Sequence, residues 1–419
     1  MAQLSGVEHV SDAQGGPSPS TRRCVLLTVH SALPGGAELL ALQEAEHLKE
    51  RYELLLSVPD GPLRASFARH GELVGGLATL PLWGASPVVW SKRLVRTLID
   101  AVRTSRLIRR RSIELVLTNS SVSLAPVLAA RLAGVPVLVH ARDVPKSRLA
   151  RLVFALHGAL ATCVIVITGE LEPYFRRANR ARVVRIADGI AIPPRPMSRP
   201  QGALSNPLRL CLVGGLDPRK GQDIAVQALA HLRELGVAAS LELVGREIDV
   251  SFTQRVREEA RSLGVADSVT FAGELSDARP NLARADIVIA PSRSEWTPLV
   301  LMEALAEGTP VIASRVGGVS DIVEDGRSGL LVDPEDPRQL AESIVRLACD
   351  PSAAALMARC GQEYVERTFS IERTLDGLGA EIELMLAQTG GADCAGAGDG
   401  DATPAMAGAP AAARKSTLA

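Results

Sequence analysis

Ile287-Val288-Ile289-Ala290-Pro291-Ser292-Arg293-Ser294-Glu295-Trp296-Thr297-Pro298-Leu299-Val300-Leu301-Met302-Glu303-Ala304 opens on four apolar residues, breaks at a proline and resumes as an apolar run with one acid inside it. The opening residues suit a short strand buried on both faces. Leu299–Ala306 reads as the helix that follows. Pro298 suits its first turn, where the missing N–H would have no partner anyway. Strand, loop and helix in this order are half of a βαβ unit, and such units build parallel sheets with helices on both faces. Ligands of those sheets sit outside the carboxyl ends of the strands, so the loop Ser292–Thr297 lies where a site belongs.

The same alternation runs through most of the chain. Cys24–Val29, Leu54–Val58, Leu115–Thr118, Val135–His140 and Val164–Thr168 read as strands. Helical patterns at Glu38–Glu50, Ser91–Arg111, Val122–Ala133 and Ser147–Ala161 separate several of them. Ile192-Pro193-Pro194-Arg195-Pro196, with Pro200 and Pro207 beyond, cannot continue a strand or helix and reads as a linker. The alternation then restarts. Leu208–Val213, Leu241–Val244, Val269–Ala272, Ile287–Ala290, Val311–Ser314 and Gly329–Val332 read as strands, and Asp223–Leu235, Thr253–Leu263, Leu299–Ala306 and Pro337–Leu347 as helices.

This patterning predicts an α/β protein with two doubly wound domains, residues 22–192 and 208–350, joined by a linker at 193–207. Residues 351–388 form closing helices. Residues 1–21 and 389–419 hold too few large apolar side chains to repay their ordering and read as disordered.

Composition narrows the class. The 419 residues carry 46 Lys and Arg against 47 Asp and Glu, a balance that argues against a generic nucleic-acid binder. Cys24, Cys163, Cys211, Cys349, Cys360 and Cys394 are far apart with no C-x-x-C pair, so neither a zinc site nor a disulfide framework is expected, and a cytoplasmic setting fits. Residues 1–21 lack the apolar core of a signal peptide. Leu152–Thr168 carries His157 and Gly158 inside it and is shorter than the ~20 apolar residues of a membrane span. No G-x-G-x-x-G opens a helix and no G-x-x-x-x-G-K-[ST] occurs, which disfavours a dinucleotide oxidoreductase and a P-loop NTPase.

Three post-strand segments carry candidate chemistry. Gly35-Gly36 lies between the first strand and helix, where backbone N–H groups can approach an anion. Gly214-Gly215-Leu216-Asp217-Pro218-Arg219-Lys220-Gly221 sets two cations beside a glycine turn just ahead of a helix, a combination that suits a diphosphate. In the opening segment, amides near Thr297–Val300 face out as an anion site, with Glu295 before the helix and Glu303 inside it. Two carboxylates there serve best as acceptors from hydroxyl groups, as on a sugar and a ribose, while the amides hold phosphate. Leu299, Met302, Leu305 and Ala306 around Glu303 imply a partly buried acid.

Glu295 and Glu303, with seven residues between, resemble the E-x7-E motif of retaining nucleotide-sugar glycosyltransferases of the GT-B fold, glycosyltransferase family 4 or group 1. Gly308-Thr309-Pro310-Val311-Ile312-Ala313-Ser314, Gly317-Gly318 and Asp325-Gly326-Arg327-Ser328-Gly329-Leu330-Leu331-Val332 resemble the same family, as do Gly35-Gly36 and Lys220-Gly221. The likeness spans roughly residues 22–388. It implies two Rossmann-like domains facing an interdomain cleft, the first binding the acceptor and the second the nucleoside diphosphate sugar. The last helices, about Ala353–Thr368 and Ile371–Gln388, would cross back to the first domain.

The resemblance also implies roles. Glu303 would bind the ribose and Glu295 a sugar hydroxyl. Lys220 and Arg219 would neutralise the leaving diphosphate, and Gly36 would approach it from the other domain. Thr297, Pro298 and Leu299 would line the donor side, with Gly35, Gly215 and Gly245. His140 matches a family histidine near the transferred sugar, and Asp143 would lie on the acceptor side. Asp188-Gly189-Ile190 reads as a turn at the domain exit. No metal or other cofactor is implied beyond the nucleotide-sugar substrate. Gly215 departs from the family, which has arginine at that place. A nucleotide-sugar epimerase and a non-catalytic sugar-nucleotide binding protein are the alternatives. Lys92–Arg111, with eight cations and Asp100 as its acid, is the candidate for peripheral membrane contact.

Overall fold

The computed structural model describes residues 22–77, 79–80, 86–145, 147–176, 180–194 and 204–390. In the first domain the strands are β1 (Cys24–Thr28), β2 (Glu53–Ser57), β3 (Glu72–Val74), β4 (Leu115–Thr118), β5 (Val137–Ala141), β6 (Cys163–Val166) and β7 (Arg182–Arg185). The helices between them are α1 (Gly36–Leu48), α2 (Arg64–Phe67), α3 (Pro87–Arg110), α4 (Ala125–Ala133), α5 (Arg148–Leu160) and α6 (Glu172–Arg176). The second domain holds β8 (Leu208–Val213), β9 (Ala239–Val244), β10 (Val269–Gly273), β11 (Ile287–Ala290), β12 (Val311–Ser314) and β13 (Leu330–Val332). Its helices are α7 (Gln222–Glu234), α8 (Val250–Ser262), α9 (Arg279–Arg284), α10 (Leu299–Ala306), α11 (Val319–Ile322) and α12 (Pro337–Cys349), after which come α13 (Pro351–Thr368) and α14 (Ile371–Gly390).

The sheets run β3-β2-β1-β4-β5-β6-β7 and β10-β9-β8-β11-β12-β13, with every pairing parallel. Each therefore reverses its winding once, between β1 and β4 and between β8 and β11, and the crevice at such a reversal is where ligands bind. Central strands such as β1, β4, β5 and β6 are buried throughout, as their unbroken apolar runs require. β3 and β7 are sheet edges absent from the sequence reading, being short or flanked by arginine.

The two closing helices part company. Helix α13 stays with the second domain, packing on α10 and α12, so its expected crossing is corrected. A Cβ on Gly361 would come 2.5 Å from Leu305 Cδ2, so close an approach that it pins α13 there. Only α14 crosses, burying Leu378, Ile382, Met385 and Leu386 in the first domain's core beside Val25, Leu27 and Ile165. At the elbow between them, Ile190 donates its N–H to Phe369 O at 2.8 Å and accepts from Ile371 N at 2.8 Å. The Asp188–Ile190 segment is thus the crossing point of the two connections between domains.

Helix α14 runs to Gly390, into the segment expected to be disordered; residues 1–21, 195–203 and 391–419 lie outside the described residues. Among the described residues no helix is long and apolar enough to cross a membrane.

Candidate functional site

Several helices are capped by side chains: Ser147 accepts from Ala150 N, Asp249 from Phe252 N and Asp336 from Gln339 N. Helices α1, α7 and α10 have no side-chain cap, and all three begin at the carboxyl ends of strands beside the reversals. Their first N–H groups are left for a ligand. A Cβ on Gly36 would lie 3.1 Å from Leu299 Cδ1, so the starts of α1 and α10 meet across the interdomain cleft. Pro298 is the N-cap of α10 with extended backbone, one place earlier than the first turn the sequence suggested. Thr297 Oγ1 beside it is buried without a hydrogen-bond partner. An orphan hydroxyl next to open helix amides is the pattern of a site awaiting a polar ligand.

The loops after β8 and β11 come together because those strands are neighbours. Arg293 donates its N–H to Arg219 O at 2.8 Å and its guanidinium to Pro218 O at 2.6 Å and to Asp223 at 2.8 Å. This stitch aims Lys220 at Glu295: Lys220 Nζ lies 2.5 Å from Glu295 Oε1, which also accepts from Ser292 Oγ at 2.9 Å. Arg219 Nη1 reaches 3.9 Å from Glu295 Oε2. The two neighbouring cations therefore converge on one buried carboxylate, although adjacent residues need not share a direction. Oε2 keeps capacity to accept from a hydroxyl. Gly221 stands in the left-handed region at φ 72°, where a Cβ would press within 2.1 Å of Pro291 O, so glycine is what lets this loop pass β11. Gly215 lies beneath Ile248 and supplies no charge; a Cβ there would come 2.3 Å from Ile248 Cδ1.

Glu303 lies on α10 in a half-buried position. Burial pushes its carboxyl above the ordinary range; Arg279 opposes that, and Asp277 and Glu307 add to it. Gly245 follows β9, donates to Gly273 O at 2.8 Å and helps line a cavity of about 390 Å³ with Leu216, Arg246 and Phe271. Gly35 starts α1, with the Glu38 carboxylate curled back beside it and His30 Nε2 3.6 Å from that acid.

Beneath the backbone of the Glu295 loop lies Gly317, which the sequence offered only as part of a family-like glycine pair. Gly317 adopts φ 50°, and a Cβ there would fall 1.7 Å from Glu295 O. Gly317→Ala is therefore expected to destabilise the protein by more than ~1 kcal/mol, the usual cost of alanine at positive φ. With Glu295 in the role the resemblance implies, donor binding should fall with it, since Glu295 must shift. Thermal unfolding and donor titration on the same preparation check both.

His140 stands at the carboxyl end of β5, one residue before its last. It is fully buried in β5, with Nδ1 3.1 Å from Glu44 Oε1 and Nε2 3.7 Å from Asp188 Oδ1. Its expected place beside a transferred sugar rests on the resemblance alone; in the fold it joins a buried layer with Glu44 of α1 and Asp188 of the domain crossing. Arg142, two residues on, is the centre of that layer. It donates to Asp188 at 2.8 and 3.0 Å, to Glu44 Oε1 at 2.7 Å, and to Asn119, which in turn donates to Glu44 at 2.5 Å. Arg142 thus ties α1 to the crossing segment at Asp188. Asp143 accepts from Ser120 Oγ at 2.6 Å and Ser121 N at 2.9 Å and anchors the loop after β4.

Burial opposes ionisation of Glu44, but Arg142 and His140 win and hold its carboxyl down to about 2. A depressed acid contributes stability above its unfolded range, ~4.3, that is lost as pH falls toward the folded value. Arg142→Leu strands two buried carboxylates and is expected to cost ~3–5 kcal/mol. Urea unfolding at neutral pH measures it, and the gap between variant and parent should narrow in acid.

Residues 207–350 match the family described as Glycosyl transferases group 1. That stretch is a group 1 glycosyltransferase domain. Around it, the chain is 38% identical over 220 residues to D-inositol 3-phosphate glycosyltransferase of Acidothermus cellulolyticus, covering 50% of this chain and 49% of that protein. It is 36% identical over 168 residues to the GDP-mannose-dependent alpha-(1-6)-phosphatidylinositol monomannoside mannosyltransferase of Mycobacterium tuberculosis, covering 38% and 43%. The chain thus spans about half the length, or less, of these curated relatives.

Solved structures match more of it. Anabaena HepE in complex with UDP superposes with TM-score 0.71 at 21% identity, over 86% of this chain and 99% of that one. Sucrose-phosphate synthase of Thermosynechococcus elongatus gives 0.71 at 24%, over 88% and 100%. The two facing sheets are the GT-B fold.

Proposed function

We propose that the group 1 domain and its partner domain form a retaining glycosyltransferase that moves a sugar from a nucleoside diphosphate sugar to an acceptor hydroxyl. The observation that carries this is the meeting of uncapped α1 and α10 across the cleft, with Lys220 and Glu295 paired at 2.5 Å beside them. A diphosphate placed there takes the helix amides and draws Lys220 and Arg219 onto its oxygens. Lys220 then releases Glu295, freeing that acid to accept a sugar hydroxyl. Glu303 accepts from the ribose, and the base occupies the cavity beside Gly245. UDP in the HepE complex and D-inositol 3-phosphate in the relative's name support a nucleotide donor and a small hydroxylated acceptor.

In this reading the amides and cations offset the leaving charge without a metal. The acceptor attacks the face the diphosphate leaves, and a departing phosphate oxygen takes the acceptor's proton. His140 and Arg142 hold the first domain's loops and α1 in place rather than touching substrate. The protein works in the cytoplasm and meets a membrane peripherally through the helix of Lys92–Arg111. The test is a panel of nucleotide sugars incubated with hydroxylated acceptors, read by product mass. A mass increment of one glycosyl unit on an acceptor supports the reading. Binding of donor without transfer, hydrolysis or epimerisation across the panel returns the chain to a binding protein, and an epimerised donor to an epimerase.

A further inference from the structure

Helix amides and cations read a diphosphate and carry no information about the base attached to it. The cavity beside Gly245 does. It measures about 390 Å³ and opens past the carboxyl ends of β9 and β10, against Leu216 of the turn after β8. Backbone bonds fix its outline. Leu216 donates its N–H to Arg246 O at 2.8 Å, Asp249 donates back to Leu216 O at 3.0 Å, and Gly245 reaches Gly273 O at 2.8 Å. Gly273 then turns in the left-handed region at φ 76°, and Glu274 follows it. One wall is a stack: Arg257 lies over the Phe271 ring, its guanidinium carbon 3.7 Å from the centroid, with Glu247 Oε1 3.7 Å from Arg257 Nη2. A guanidinium held over one aromatic ring has a second face for another flat π system.

Two charged groups of the lining are unspent. Among the described residues neither the Arg246 guanidinium nor the Glu274 carboxylate makes a hydrogen bond or ion pair, and both residues are exposed. They do not pair with each other, so the space between them suits a ligand that shows acceptors to one and donors to the other. The nucleobases differ in this respect. Guanine sets two acceptors, O6 and N7, beside two donors, N1–H and the N2 amine; an arginine forks onto the first pair and the oxygens of a carboxylate take the second. Adenine would turn its N1 acceptor to the acid. Uracil has one N–H between two carbonyl oxygens, which the acid repels. The loop that carries Glu274 runs on to Asp277 and Arg279, whose charges act on Glu303, so one loop serves the cavity and the acid assigned to the ribose.

We propose that this cavity selects guanine, with Arg246 on O6 and N7, Glu274 on N1–H and the N2 amine, and Arg257 against the ring face. The donor is then a guanosine diphosphate sugar. The proposal rests on the transferase reading of the same site and names the nucleotide that fills it.

The test titrates the full chain by calorimetry with the diphosphates of guanosine, inosine, uridine and adenosine: GDP, IDP, UDP and ADP. Ribose and diphosphate are common to all four, so differences in Kd report the base. GDP should bind at least about tenfold tighter than UDP or ADP, the discrimination expected of one bidentate base contact. IDP, which lacks the N2 amine, should bind about tenfold more weakly than GDP, the loss of a hydrogen bond to a charged acceptor. Glu274→Gln should weaken GDP about tenfold and bring GDP and IDP together. Arg246→Met should weaken GDP and IDP by the same factor, about tenfold, because both carry O6 and N7, and should lower UDP less. Thermal unfolding shows that both variants keep their fold, as substitutions at exposed positions should; a merely structural effect would lower all four ligands together. UDP or ADP binding as tightly as GDP overturns the base assignment and leaves the transferase reading standing. So does IDP equal to GDP in the parent, or a GDP-to-IDP ratio that Glu274→Gln does not change. Failure of all four diphosphates to bind overturns both readings.

Discussion

Lys220→Met should lower turnover by about two to three orders of magnitude, the usual loss when one preorganised donor to a developing charge is removed. Lys220 has the position for that size of effect. It sits at the end of the turn after β8, held by the Gly221 passage under Pro291, and already spans to the loop after β11. Its charge rests on Glu295; in the proposed reaction it would move a short way to a diphosphate oxygen carrying the leaving charge. The substitution removes that stabilisation and also leaves Glu295 with only Ser292 and the more distant Arg219. Donor affinity should weaken less than turnover, because in the proposed reaction the uncapped amides of α1, α7 and α10 would hold the diphosphate in ground and transition state alike. Steady-state kinetics with varied donor separate the two. A loss confined to KM would mean that Lys220 binds uniformly and does not assist departure. Arg219→Met should be milder, since its guanidinium is half exposed and shares itself with Asp217 at 3.5 Å.

Glu303→Gln should weaken donor binding by about tenfold to a hundredfold, the range for losing hydrogen bonds to a charged acceptor. The effect has a pH signature. Burial raises the Glu303 carboxyl above the ordinary range, with Asp277 and Glu307 adding to the rise against Arg279. Only the ionised acid accepts from two ribose hydroxyls. Donor affinity of the parent should therefore fall as pH drops through a window above ~4.3, before ordinary glutamates titrate. The Gln variant has no proton to gain and should show a flat profile through that window. Isothermal titration with a nucleoside diphosphate at several pH values reads both. Equal affinity of parent and variant at neutral pH would remove Glu303 from the ribose.

Much of the architecture was written in local pattern. Short apolar runs such as Leu115–Thr118 and Ile287–Ala290 appear as strands at those same bounds, because a strand buried on both faces has no polar positions to blur its ends. The first sheet's edge strands were not legible: Arg182-Val183-Val184-Arg185 pairs on one side only and tolerates charge at both ends. The loop signals after β1, β8 and β11 were visible too, since glycine pairs, cations and acids at strand ends stand out in one dimension.

What the chain order could not decide was partnership and direction. That Lys220 and Arg219 both turn on Glu295 depends on β8 and β11 being neighbours, a product of the sheet's reversal. His140 stood out as a titratable residue at a strand end, yet the layer behind β5 swallowed it into contact with Glu44 and Asp188, 96 and 48 positions away (140 − 44 and 188 − 140). Arg142 and Gly317 carry no local mark of their roles, because those roles are long-range contacts. Sequence by itself determined where strands, helices and chemically able loops fall, since those follow from the polarity and backbone freedom of near neighbours. Only the tertiary structure decided which of those groups share a cleft and which are walled into the core, since a side chain's surroundings are set by elements distant in the chain.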